Sequence, residues 1–171
     1  VDFSQAYRNT NGRRVDWPYA ERALREFLFI RPLNALVILD RMRASSDSLL
    51  SFYGTDSWVE RSDPLAVRVG AAQVTRSFIM HFEVAPTTAA NRVQATLGNQ
   101  VSELITLLPA SPAFRIVNED RPGDEDAGQF RLELDSVGSV ESYFLNVVHG
   151  RDTGDAPLAA TLADNGDRWT L

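Results

Sequence analysis

The chain has 171 residues, 44% of them apolar and 23% charged, which suits one soluble globular domain and excludes a wholly disordered chain. A formal net charge of −6 without any basic stripe excludes a nucleic-acid-binding domain, and no apolar run approaches the ~20 residues of a membrane helix. With no cysteine there is neither a disulfide framework nor a thiolate metal site.

In chain order, residues 1–18 are polar, contain the turn signal Asn9-Thr10-Asn11-Gly12, and read as an N-terminal arm. Residues 19–30 support two readings. Ala20, Ala23, Leu24, Phe27 and Leu28 follow helical spacing, which predicts one short N-terminal helix. The end, Phe27-Leu28-Phe29-Ile30, is aromatic and β-branched, which predicts a strand. Arg31-Pro32-Leu33-Asn34 reads as a turn, and residues 35–39 as the second strand of a hairpin.

Further strands are expected at 49–53, 65–69, 74–84, 92–97, 104–108, 114–117, 129–134, 143–148 and 158–162. Turn signals such as Asp63-Pro64, Gly98-Asn99 and Pro122-Gly123 separate most of them. Many short strands at this spacing predict an all-β domain, a sandwich or a barrel, over 1–171. Two strands also predict their faces. Phe78, Met80, Phe82 and Val84 alternate with Ser77, Ile79, His81 and Glu83; Phe130, Leu132 and Leu134 alternate with Arg131 and Glu133. One face of each belongs to a core and the other to solvent or a partner.

Several segments, in order, resemble one family. Arg25-Glu26-Phe27-Leu28-Phe29, Arg31-Pro32 and Leu36-Val37-Ile38-Leu39-Asp40-Arg41 form a strand pair ending in Asp-Arg. Phe78-Ile79-Met80-His81-Phe82, Leu107-Leu108-Pro109, Phe130-Arg131-Leu132-Glu133 and Phe144-Leu145-Asn146-Val147-Val148 follow. Together they are similar to the C-terminal β-module of heparinase II/III-like polysaccharide lyases, over residues 2–155. The resemblance implies an antiparallel, supersandwich-like β-sandwich following an α/α-toroid domain that this chain lacks. It implies β-elimination of a uronic-acid polysaccharide, a base removing the proton α to the carboxylate and an acid protonating the leaving oxygen. The acidic polysaccharide and the missing toroid would be the partners, with most catalytic groups on the toroid. No cofactor is expected in this chain; a structural divalent metal belongs to the full-length family, with its ligands mostly upstream of the matched segment. A periplasmic or secreted location is implied on the same ground. Because the chain starts at Val1 and stops at Leu171 after a strand-like ending, it reads as a fragment of a longer protein.

Within this frame His81 is the candidate catalytic residue: it shares a strand face with Glu83 and would border a cleft shared with the toroid. Its alternative is a structural histidine satisfied at a strand surface. His149, placed after the strand 143–148 and before Gly150-Arg151-Asp152, reads as a loop histidine. The two histidines with an acid could make a zinc site, although no short-spacing ligand pair supports one. Asp40-Arg41 reads as a structural ion-paired dipeptide. Glu119-Asp120 with Asp124-Glu125-Asp126 reads as a solvated acidic loop, since its spacing does not match a calcium loop. Trp17, Trp58 and Trp169 are candidates for stacking on sugar rings or, alternatively, for core packing. A non-catalytic carbohydrate-binding module and a purely structural assembly module are therefore the competing readings.

Overall fold

The computed structural model describes residues 1–2, 20–44, 49–50, 67–68, 75–119, 129–136, 138–166 and 169–170. The expected arm over 3–18, the acidic loop beyond Glu119, and Trp17 and Trp58 lie outside the described residues, as does the side chain of Trp169.

The protein is an all-β sandwich of two antiparallel sheets. The larger is formed by β1 (Ala20–Ile30), β2 (Ala35–Ala44), β6 (Thr87–Ala89), β7 (Arg92–Leu97), β8 (Gln100–Leu108) and β11 (Glu141–Asp152), in the order β1-β2-β11-β8-β7-β6. The smaller has β10 (Phe130–Ser136) between β5 (Arg76–Phe82) and β9 (Phe114–Asn118). Two short pairs stand apart: β3 (Leu49–Leu50) with β4 (Val67–Arg68), and β12 (Ala163–Asp164) with β13 (Trp169–Thr170).

The expected N-terminal helix does not form; β1 is a strand throughout and pairs with β2 over its whole length. A β-bulge explains the misleading spacing. The register slips between Ala20 and Arg22, so Ala20 and Ala23 oppose Ala44 and Met42 and fall on the same face. A three-residue interval on one face looks helical in sequence, yet here it comes from one extra residue in a strand. The hairpin turn is a short 3-10 segment, Arg31–Leu33, ended by Asn34 in the left-handed conformation with φ 47°. The Asn34 side chain then donates from Nδ2 to the Gly150 carbonyl at 3.1 Å, tying the turn to β11. At the β7–β8 hairpin the two-residue loop Gly98-Asn99 needs a positive φ, which glycine supplies at 59°.

The main core lies between the sheets. Ile38, Val93, Ala95, Leu104 and Phe144 from the larger sheet meet Phe78, Phe82, Leu132 and Leu134 from the smaller. The face assignments made for β5 and β10 hold, with Phe78, Phe82, Leu132 and Leu134 buried while His81 and Ile79 are exposed. A second core covers the opposite face of the larger sheet. Ala35, Val37, Ile105, Leu107, Leu145 and Val147 are overlaid by Leu158, Ala160 and Leu162. Residues 158–162 were expected to be a strand; instead they form an extended strap without ladder hydrogen bonds. Its alternating inward side chains bury apolar area across the sheet, which produces the period of two without strand pairing.

Candidate functional site

One cluster of buried, mutually bonded polar groups is found on the strap-covered face of the larger sheet. Glu103 on β8 is fully buried there. Its Oε1 accepts from Arg92 Nη1 at 2.7 Å and from Gln94 Nε2 at 2.7 Å, both on β7. Arg92 also donates from Nη2 to the Leu158 carbonyl at 2.6 Å, linking this cluster to the strap. His149 lies opposite Glu103 in the β11–β8 ladder, with its Nδ1 3.5 Å from Glu103 Oε2. Neither Glu103 Oε2 nor His149 Nδ1 has a hydrogen-bond partner in this arrangement.

Burial pushes the Glu103 carboxyl up, because an ion is poorly solvated there. The hydrogen bonds from Gln94 and Arg92, the Arg92 charge and the His149 ring together outweigh burial and hold Glu103 below its ordinary value. Glu103 is therefore an ionised carboxylate inside the fold, neutralised by Arg92. His149 is thus no loop residue: it sits within β11 with its side chain 11% exposed.

His81 has a different setting. It projects from β5 on the outer face of the smaller sheet, beside Arg131 of β10, and its side chain is 51% exposed. Its Nε2 is 3.3 Å from Glu119 Oε2. Glu119 also pairs with Arg131, and Arg131 Nε bonds Glu133 Oε1 at 2.7 Å. Arg115 from β9 pairs with Glu133 as well, so His81 ends a chain of alternating charges that runs across three strands. The charges neighbouring His81 are already matched in pairs.

The sandwich separates the two histidines. His81 is on the outer face of one sheet and His149 on the outer face of the other, so they cannot share a metal, contrary to the zinc arrangement weighed from sequence. Among the described residues no three His, Asp or Glu side chains are grouped to hold a metal ion. No helix among the described residues is long and apolar enough to cross a membrane.

Asp40 and Arg41 act through β1. Asp40, only 5% exposed, takes a two-pronged bond from Arg25, Nε to Oδ1 and Nη2 to Oδ2, each at 2.6 Å. The Arg25 guanidinium also lies 5.5 Å from the Phe78 ring centre, in cation–π range, and so ties β1 to the smaller sheet. Arg41 pairs with Glu26 on the other face. The dipeptide thus fastens the edge strand on both sides of the sheet.

Sequence reasoning passed over Glu103, Arg92 and Gln94. A usable signal was present: the Gly98-Asn99 turn sets a two-residue hairpin, and counting outward from it puts Gln94 opposite Glu103.

Comparisons with known proteins find likeness in fold. Crystal structures of the heparan sulfate lyase HepC from Pedobacter heparinus and of a HepC mutant match with TM-scores of 0.55 and 0.53. Each match is at 13% identity, covering 90% of this chain and 21% of the lyase chain. This chain therefore spans about a fifth of the length of those proteins. No protein-family model matches the chain, and no curated protein matches it either.

Proposed function

We propose that this chain is the β-sandwich module of a heparinase II/III-like polysaccharide lyase, acting with an α/α-toroid domain that performs most of the β-elimination on a uronic-acid polysaccharide. The observation that carries this reading is the match of nearly the whole chain, 90%, to one fifth of a much larger heparan sulfate lyase. The five sequence segments that resemble the family agree with it, lying on β1 with β2, β5, the end of β8, β10 and β11. The module would support the toroid and wall one side of the cleft, with His81 as the group it offers to the site. The exposed ring and its open setting on the smaller sheet favour that role over a buried structural one. A protein working on such polymers belongs in the periplasm or outside the cell.

The test takes the polypeptide that carries this chain, with its flanking sequence, and follows the ultraviolet absorbance of unsaturated product. Heparin, heparan sulfate, alginate, hyaluronan and ulvan are the substrates. Elimination on at least one is expected; silence on all acidic polysaccharides overturns the reading. His81→Ala in the same polypeptide is expected to lower turnover, and unchanged kinetics remove His81 from the site.

A further inference from the structure

The strap over the larger sheet is held differently from the strands beneath it. Residues 156–162 run between the turn at 152–155 and β12, with Leu158, Ala160 and Leu162 half-buried and Ala156, Pro157, Ala159 and Thr161 exposed. Their backbone joins no ladder, and Pro157 has no N–H to give. Among the described residues a single hydrogen bond reaches this backbone, from Arg92 Nη2 to the Leu158 carbonyl at 2.6 Å. Both ends of the segment are fixed. Thr153 N–H donates to the Asn99 carbonyl at 2.9 Å and Asp155 N–H to the Asp152 carbonyl at 3.0 Å, while Ala163 pairs with Thr170. Beneath the strap, Ala35, Val37, Ile105, Leu107, Leu145 and Val147 are all buried.

We propose that residues 156–162 form a lid that lifts from the sheet between hinges at Asp155 and Ala163 while the sandwich stays folded, and that Arg92 is its latch. Ordering these residues costs conformational entropy, and no ladder hydrogen bonds offset it. Three half-buried side chains and one hydrogen bond hold the segment, so it opens at a lower free energy than the strands, which are tied on both edges. The latch stays with the sheet. Arg92 Nη1 bonds Glu103 Oε1 at 2.7 Å, which fixes the planar guanidinium and presents Nη2 to the Leu158 carbonyl. What the lid uncovers is an apolar face flanked by Glu103 and His149, two groups that the closed form keeps largely out of bulk water. The inference does not rest on the functional reading.

Because the sequence has no cysteine, single engineered thiols report the opening directly. Val147→Cys and Ile105→Cys each place one beneath the strap, and Leu132→Cys places one in the core between the sheets. Each full-length variant is labelled with a thiol reagent in native buffer. The rate is compared with that set by global unfolding of the same variant, taken from its own urea curve. Leu132→Cys should be labelled only through global unfolding. The two thiols under the strap should be labelled on the order of 100-fold faster than global unfolding allows, with a much weaker urea dependence, because lifting the lid exposes little surface. Arg92→Lys keeps the positive charge beside Glu103 but replaces the fork with a single nitrogen. It should raise labelling under the strap by about a further tenfold and leave Leu132→Cys at its global rate. Labelling of Val147→Cys and Ile105→Cys at the global rate would overturn the lid. An Arg92→Lys effect that is absent, or equal at all three sites, would overturn the latch.

Discussion

Replacing Glu103 with glutamine lowers the stability of the fold by about 2 kcal/mol, on the following physical grounds. The substitution keeps the shape and one acceptor oxygen, but it makes the bond from Gln94 a neutral one and leaves the Arg92 guanidinium without the carboxylate that balances its charge. Bonds to a charged group contribute roughly 1.5–3 kcal/mol and neutral ones roughly 0.5–1.5 kcal/mol. Breaking a fully dry ion pair costs about 3–5 kcal/mol. Arg92 keeps 29% of its side chain in contact with solvent, so its charge is partly hydrated and the cost falls below that range. For a chain of this size about 2 kcal/mol corresponds to a fall in Tm of roughly 4–8 °C. Thermal unfolding followed by circular dichroism measures it. The paired change Arg92→Leu with Glu103→Leu should be much milder than Glu103→Gln alone, because it removes both charges from the face together. A glutamine variant within about 0.5 kcal/mol of the parent would refute the view that this carboxylate helps hold β7, β8 and the strap together.

Three further outcomes follow from the same structure. Glu103 titrates below its ordinary 4.5 when folded, so on acidification the unfolded chain takes up its proton first. Its stabilising contribution is complete above that ordinary value and is lost as pH falls through the lower folded value; urea midpoints between about pH 6 and pH 3 should fall more steeply for the parent than for Glu103→Gln. Leu132→Ala, at a position with no exposure, should cost about 3 kcal/mol in urea unfolding, whereas Ile79→Ala, across the ladder on the exposed face, should cost less than about 0.5 kcal/mol. Inside the sandwich, Thr106 Oγ1 donates to Asn146 Oδ1 at 2.7 Å while Asn146 Nδ2 has no partner. Thr106→Val should therefore cost about 1–3 kcal/mol in the same assay, and adding Asn146→Leu should recover most of that loss.

The strands that sequence identified best are those whose two faces meet different surroundings. In β5 one face packs on the core and the other meets solvent, so alternation shows directly as Phe78, Met80 and Phe82 against Ser77, Ile79 and His81; in β10 the alternation is as plain in sequence, although Glu133 on its outer face is buried beneath Arg115 and Arg131. β8 is harder to read because both its faces are covered. Leu104 enters the inter-sheet core while Ile105 and Leu107 lie under the strap, and the expected start at 104 missed Gln100–Glu103 because Ser102 and Glu103 look like solvent-facing residues. Only the cross-strand partners Arg92 and Gln94 make Glu103 tolerable inside. The strap failed in the opposite direction: Leu158, Ala160 and Leu162 have a strand's period but no strand beside them. Chain-local spacing likewise could not reveal the bulge that brings Ala20 and Ala23 together, since a bulge is defined only against the partner strand. His81 was legible as a candidate because its face was, whereas the setting of His149 depends on a residue 46 positions away in the chain, Glu103, brought close by the β11–β8 ladder.

The most direct test of the account as a whole is lyase activity of this chain by itself. Incubated with heparin, heparan sulfate, alginate, hyaluronan and ulvan, it should produce no ultraviolet absorbance from unsaturated product, while the longer polypeptide that carries it does. New absorbance from the chain by itself would contradict the account: a complete elimination site would then lie within this sandwich, and the search for it would begin at His81, His149 and their carboxylate partners.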